Sequence, residues 1–214
     1  IFRSAPKMLV GVTRIAEEVP LPVVDLRWAI SLVMPLSHAI IDTIDDKPTK
    51  LYKHHYKEVN SLLDQTALRL CLELQERGNK VLPIPASQII DWTVPRGDVD
   101  HRLVAQAAGI GWIGRHGLLV TPEYGARQRL ITILCKDNPP IPDEFLTKRE
   151  LPAEKCGKCR ACVGKCPGEA IGDKSGDFNV QACHEVCADF SKRLVGVRIC
   201  GVCIKQCRPK KGKS

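Results

Sequence analysis

No stretch of this 214-residue sequence reaches the ~18 uncharged apolar residues that a membrane-spanning helix needs. A membrane partner is therefore not expected. Ile1–Gly11 carries Arg3 and Lys7 but no continuous apolar h-region, so no secretory signal is read there. No solenoid period is present. Disulfide chemistry is also missing its usual signs. The cysteines are odd in number, 11, and nine of them crowd between Cys156 and Cys207 in C-x-x-C spacings. Without a signal peptide, that pattern points to metal in a reducing compartment, and so to the cytoplasm. The first residue is Ile1, not Met, so a short N-terminal piece is expected to be missing. What is present suffices for a core: 44% of residues are hydrophobic, which excludes a mostly disordered chain. The length fits one domain, or one domain with a small satellite.

The formal charge is +8, from 32 Lys and Arg against 24 Asp and Glu. A basic chain invites a nucleic-acid reading. However, no acidic residue follows Asp189, so the excess gathers in the tail Lys192–Lys213, which reads as a solvated end. The count also treats every cysteine as neutral. Eight cysteines on two four-iron clusters bring about −2 per site and reduce the total to about +4. No DNA partner is expected.

Residues 7–12 and 28–36 read as buried strands, and 37–56 as polar and irregular. Val59, Leu62, Leu63, Thr66, Ala67, Leu70 and Leu74 repeat at three and four, a helix that Gly78 stops. Lys80–Ile84 reads as the next strand. A second helix is expected from an Asp98 cap to Ala108, broken by Gly109-Ile-Gly111-Trp-Ile-Gly114. Gly117–Thr121 and Arg127–Cys135 read as a hairpin around Pro122–Gly125. Asn138–Lys155 reads as a linker. Cys71 and Cys135 are expected as buried free thiols. His54 and His55 are read as surface polarity before a helix, with metal ligation as the alternative.

Cys156-x2-Cys159-x2-Cys162-x3-Cys166-Pro167 is the bacterial ferredoxin run. Thiolates are soft, charged ligands suited to iron and sulfide. Three at this spacing wrap one cubane, and the fourth, before proline, normally reaches the other cluster of a two-cluster protein. Gly157 and Gly164 let backbone approach the cluster. A zinc ribbon instead wants two C-x-x-C pairs separated by a spacer. Cys200-x2-Cys203-x3-Cys207 supplies three more ligands, so one further thiolate must come from Cys183 or Cys187. Both lie on an expected helix capped by Asn179, one turn apart. Two cubanes need eight thiolates, and this region offers nine.

His101-Arg-Leu-Val-Ala-Gln-Ala-Ala-Gly-Ile-Gly-Trp-Ile-Gly-Arg115, then Leu118–Gly125, then the cysteine run, resembles the epoxyqueuosine reductase family. The likeness reaches upstream through Ala29-Ile-Ser-Leu32, Tyr56-x3-Asn60 and Pro83-Ile-Pro-Ala-Ser87, covering about residues 28–208. A more distant likeness runs to reductive dehalogenases. The resemblance implies an α/β (α+β) chain. A nitroreductase-like, corrinoid-binding core would span 1–150, with a ferredoxin-like domain of two [4Fe-4S] clusters in 151–214. It implies cobalamin without axial benzimidazole coordination. It pairs Cys156, Cys159 and Cys162 with Cys207, and Cys166 with Cys183, Cys200 and Cys203, leaving Cys187 over.

Gly109, Gly111 and Gly114 would leave room for a flat macrocycle, with Trp112 covering a ring face. The same run spells a dinucleotide fingerprint, but that motif follows a strand and opens a helix, whereas this one ends a helix. The rival reading of the glycines is a helix C-cap and tight turn with a core Trp. The family's proposed proton-donating Asp falls about fourteen residues before Gly109, and an ungapped count lands on Pro95. Asp91, Asp98 and Asp100 are near but out of register. Removing an epoxide oxygen as water needs a timed proton, so true epoxyqueuosine reductase activity is not expected. The sequence also ends soon after the cysteine module, without an added tRNA-binding repeat domain. The expected function is passage of electrons from a ferredoxin or flavodoxin, through two clusters, to a corrinoid or substrate in the core. The substrate would be a small molecule or tRNA. The alternative is an electron-transfer protein with no corrinoid or substrate site of its own.

Overall fold

The computed structural model describes residues 8–90, 96–148, 150–151, 155–174 and 176–209. Along the chain run β1 (Leu9–Arg14), β2 (Trp28–Pro35), α1 (His38–Asp42), α2 (Lys50–Glu76), β3 (Val81–Ile84) and α3 (His101–Ala107). Then come β4 (Trp112–Ile113), β5 (Leu119–Val120), β6 (Gln128–Cys135), α4 (Val180–Phe190) and α5 (Val202–Gln206). The fold is mixed helix and sheet, as expected.

Two compact units form, neither continuous in sequence. One draws on Ile1–Pro35, Val59–Ile110 and Arg129–Arg149; the other on Leu36–Glu58, Gly111–Gln128 and Glu150–Ser214. The compact units therefore do not follow the composition change near residue 150. The second unit shows why. Its cysteine-rich stretch has few aliphatic residues, and Ile44 and Tyr52, both buried, supply apolar side chains against Gly201.

In the first unit the sheet order is β1-β2-β6-β3. β1 pairs antiparallel with β2, Leu9 opposite Val33 and Arg14 opposite Trp28. This pairing carries the first strand two residues past its expected end. β3 pairs antiparallel with β6, Val81 opposite Cys135. Ala29, Ile30, Leu32 and Val33 are buried in succession, as a strand covered on both faces requires. Ile15, Leu26, Ala29, Ile84, Val99, Val104 and Leu134 close one apolar cluster. Gly11 admits α3, because a Cβ there would lie 2.9 Å from both Ala108 Cβ and Ile110 Cγ1. Along α2, Val59, Leu63, Ala67, Leu70 and Leu74 are buried as the spacing predicts, but Leu62 is exposed. Gly78 ends this region with φ 82°. Burial pushes the Cys71 thiol up to about 11 and Cys135 to about 12, so both stay protonated, as expected of core thiols.

Three expectations need correction. Residues 37–56 are not irregular: α1 and the first turns of α2 lie there, with Tyr52 buried and its N–H donating to Thr49 Oγ1 at 3.1 Å. The cap of α3 is Asp100, not Asp98; its carboxylate accepts from Arg102 N at 3.0 Å and Leu103 N at 3.4 Å. β5 pairs with β4 rather than with β6. The turn Thr121–Gly125 closes on itself by two 2.9 Å backbone hydrogen bonds and leads β6 to other partners.

Candidate metal centre

The nine clustered cysteines all belong to the second unit. The run from Cys156 is a coil of tight turns. Cys159 N donates to Cys156 O at 2.9 Å, Val163 N to Arg160 O at 3.0 Å and Cys166 N to Val163 O at 3.3 Å. Gly157 takes φ 46°, while a side chain at Gly164 would meet open space, so only the first glycine is conformationally required. Cys166 is extended, with ψ 116°, as the residue before a proline prefers, and this turns its side chain out of the loop. Its sulfur accepts a hydrogen bond from Ala170 N at 3.4 Å.

Arg115 fastens this coil. Its guanidinium donates to Cys159 O at 3.1 Å and Gly157 O at 2.7 Å, and also to Asp173 O. One rigid fork thus satisfies three carbonyls that a loop of this length leaves without backbone partners.

α4 carries Cys183 and Cys187 one turn apart, capped by Asn179, whose side chain accepts from Ala182 N at 3.0 Å. Gly168 lets α4 close on the Cys166 turn, since a Cβ there would lie 2.7 Å from Val186 Cγ2. Cys203 sits on α5, Cys200 just before it, and Cys207 at its end. Cys207 O accepts from Ala126 N at 3.0 Å, and Gly125, at φ 59°, lies so close that a Cβ would collide with that carbonyl.

The thiols act on one another electrostatically. Burial pushes Cys207 up to about 12, with added like-charge repulsion from Cys162, Cys156 and Cys159. Burial pushes Cys200 up to about 11, with repulsion from Cys183 and Cys166. Cys203 is raised well above its ordinary value by burial, then by Cys200, Cys183, Cys162 and Cys166. Cys183 runs the other way: the neighbouring Cys187 thiol lowers it, while the Cys183 sulfur and burial raise Cys187. Buried thiols that repel one another when ionised are suited to surrender their protons only to a strong cationic centre. Among the described residues, no three His, Cys, Asp or Glu side chains converge on a single-ion site. Soft thiolates in this spacing are the donor type that iron–sulfur clusters use.

The glycine segment is different. Gly109, at φ 73°, ends α3 in a Schellman arrangement: Ile110 N donates to Ala105 O and Gly109 N to Gln106 O, both at 3.0 Å. A Cβ at Gly111 would collide with Val120 O and lie 3.2 Å from Thr121 Cγ2. At Gly114 it would lie 2.8 Å from both His116 Cε1 and Val120 Cγ2. Trp112 is buried. The missing side chains at 111 and 114 make room for β5 and its flanks, whereas a side chain at Gly109 would meet open space.

His54 and His55 lie inside α2 rather than before it. His55 Nε2 accepts from Ser37 N at 2.9 Å, and His54 lies 3.9 Å from Glu58. Asp91 and Pro95 lie outside the described residues. Asp98 N donates to Gln88 Oε1 at 3.4 Å. Burial works to raise the Asp100 carboxyl, but hydrogen bonds from Arg102 outweigh it and hold the group below its ordinary value. Sequence reasoning assigned no role to Arg115, Gly125 or Arg127. Arg127 is buried and donates to Asp42 Oδ1 at 2.8 Å and Lys205 O at 2.7 Å, tying α1 to α5. Partners 44 or 78 residues distant leave no mark in local spacing.

A mixed α/β fold with a cysteine-lined second unit defines a class, and solved structures share that fold. A reductive dehalogenase described as B12-dependent matches with TM-score 0.63 and 17% identity, over 93% of this chain and 29% of its own. An epoxyqueuosine reductase bound to an epoxyqueuosine-modified tRNA stem loop matches with TM-score 0.55 and 17% identity, over 96% and 62%. No protein-family model matches the chain. In sequence, the chain is similar to epoxyqueuosine reductases, as its motifs indicate. That of Listeria monocytogenes is 38% identical over 91 residues, 42% of this chain and 22% of the relative. That of Bacillus subtilis is 31% identical over 130 residues, 56% of this chain and 31% of the relative. The matched region thus spans less than a third of either relative. No helix among the described residues is long and apolar enough to cross a membrane.

Proposed function

We propose that this protein is a cytoplasmic iron–sulfur redox protein that holds two [4Fe-4S] clusters and passes single electrons to an acceptor. Cys156, Cys159, Cys162 and Cys207 hold the first cluster, and Cys166, Cys183, Cys200 and Cys203 the second. The observation that supports this reading is the gathering of all nine clustered cysteines, with the ferredoxin-type run and the Cys200–Cys207 run, in one compact unit; the division into these two ligand sets is the one the resemblance implies. The clusters, when bound, supply one-electron reduction and oxidation. The chain's residues exclude water and orient the ligands: Arg115 fixes the first loop, Ala170 N donates to the Cys166 sulfur, and Ala126 N holds the Cys207 backbone.

The resemblance implies a corrinoid on a nitroreductase-like core as acceptor, with a ferredoxin or flavodoxin as donor, and a module boundary near residue 150. It also allows a tRNA substrate, since one structural neighbour is solved with a tRNA stem loop. Self-packing at Gly111 and Gly114 favours the second reading, an electron carrier with no corrinoid seat at these residues. Epoxide deoxygenation is not proposed: Asp100 is held ionised beside Arg102, the wrong form for a general acid.

Anaerobic reconstitution tests the reading. About eight irons and eight sulfides per chain are expected. Zinc, or about four irons in fully loaded protein, would overturn it. Titration with cob(II)alamin separates the two acceptors: at ~100 μM protein, an unchanged cobalt EPR signal supports the carrier.

A further inference from the structure

The first-cluster loop has an outward face rich in basic side chains. Cys159 is exposed, whereas its companions Cys156, Cys162 and Cys207 are half-buried or buried. Lys158 and Arg160 flank it directly, and Lys155 and Lys165 stand at either end of the same coil, all four exposed. Between Lys155 and Gly168 the sequence has no acidic residue. Arg160 is paired with Asp173, and Lys158 and Lys165 make no ion pair among the described residues. By contrast Cys166, Cys183, Cys200 and Cys203 of the second set are all half-buried.

We propose that this face is the docking surface for an acidic electron-carrier protein, and that electrons enter at the first cluster beside Cys159. The proposal rests on the two-cluster reading. An exposed ligand places the cluster edge at the surface, where a donor can approach it closely. Unpaired cations around that edge attract a carrier whose own redox centre is ringed by carboxylates, and they orient it on encounter. The step balances as one electron: the carrier is oxidised by one, the cluster is reduced by one, and no bond forms or breaks. Nucleic acid fits the face less well. Residues 155–174 contain no aromatic side chain on which a base would stack.

The test is stopped-flow reduction of the reconstituted protein by an acidic flavodoxin hydroquinone, with photoreduced 5-deazariboflavin as a neutral small reductant. The flavodoxin rate should fall about tenfold or more as ionic strength rises from ~20 to ~300 mM. Lys158→Glu with Lys165→Glu should slow it about tenfold and flatten the salt dependence. The milder pair Lys158→Gln with Lys165→Gln should give an intermediate loss. Iron content and the deazariboflavin rate should be unchanged in both. A flavodoxin rate indifferent to salt and to both pairs would overturn the proposal. So would a tRNA stem loop that binds the wild type at least tenfold better than the charge-reversed protein and leaves the flavodoxin rate unaltered. Wild-type protein that loads no iron would instead overturn the cluster reading itself, and the docking proposal with it.

Discussion

Cys187 follows Cys183 by one helical turn on α4, and the two thiols are shifted in opposite directions, Cys183 lowered and Cys187 raised. The direction of that split favours Cys183 as the readier thiolate. Cys187 also faces Cys200 and Cys203, so the ninth cysteine is a near neighbour of the second ligand set.

Cys183→Ser should therefore lose or convert the second cluster, dropping the iron count from about eight toward about four. Cys187→Ser should keep both clusters. Cys187→Ala should also keep both, because the ligand set leaves Cys187 over. Iron analysis and redox-poised EPR check this, and iron counts reversed between the two serine variants would exchange the roles.

Two glycines should fail in different ways. Gly125→Ala puts a Cβ against the Cys207 carbonyl from a left-handed backbone, at a cost above about 2 kcal/mol. Cluster content should fall, with the first cluster lost preferentially. Gly111→Val overpacks the β4–β5 hairpin, typically by about 1–3 kcal/mol or more. Its Tm should drop by several degrees whether or not a corrinoid is supplied. A variant with wild-type Tm that has lost cobalamin binding would restore the cradle reading of Gly111.

The buried His116 predicts a pH effect. Burial pushes it down to about 4, and its Nδ1 accepts from Leu118 N at 3.1 Å, so it is neutral in the fold. An unfolded His takes up a proton near 6.5. Its contribution to stability is thus full above about pH 6.5 and is lost as pH falls toward about 4, by about 1.4 kcal/mol per unit. His116→Asn should remove that slope. Urea unfolding of both proteins at pH 7.5 and 5.5 measures the difference, and parallel losses would show that another group titrates.

The legible features were those set by local chemistry. The buried stripe of α2 follows three- and four-residue spacing, and Asn179 announces α4 by its own side chain. The start of α2 was hidden because Lys50–Glu58 has few apolar residues to mark a face, although Tyr52 is buried. Asp98 and Asp100 are equally good caps by type, and only the fold selects between them. The partner of β5 was misread because two turns compete for it, and the choice of Ile113 opposite Leu119 is tertiary. The same holds for Gly111. A residue without a side chain announces that something comes close, and only the fold reveals that the visitor is Val120. The cysteine pattern was the clearest signal, because ligand type and spacing are dictated by the cluster rather than by the surrounding fold.

The unit that holds the cysteines also includes Leu36–Glu58 and Gly111–Gln128. Arg115, Ala126 and Arg127, each with a grip on the cysteine segment, come from the second of these stretches. The cysteine-bearing unit is therefore not a detachable cassette. A fragment cut at residue 150 leaves behind the clasp on the first loop, the support of Cys207 and the tie to α5. Grafting this half onto another protein has to transplant three separate pieces of chain.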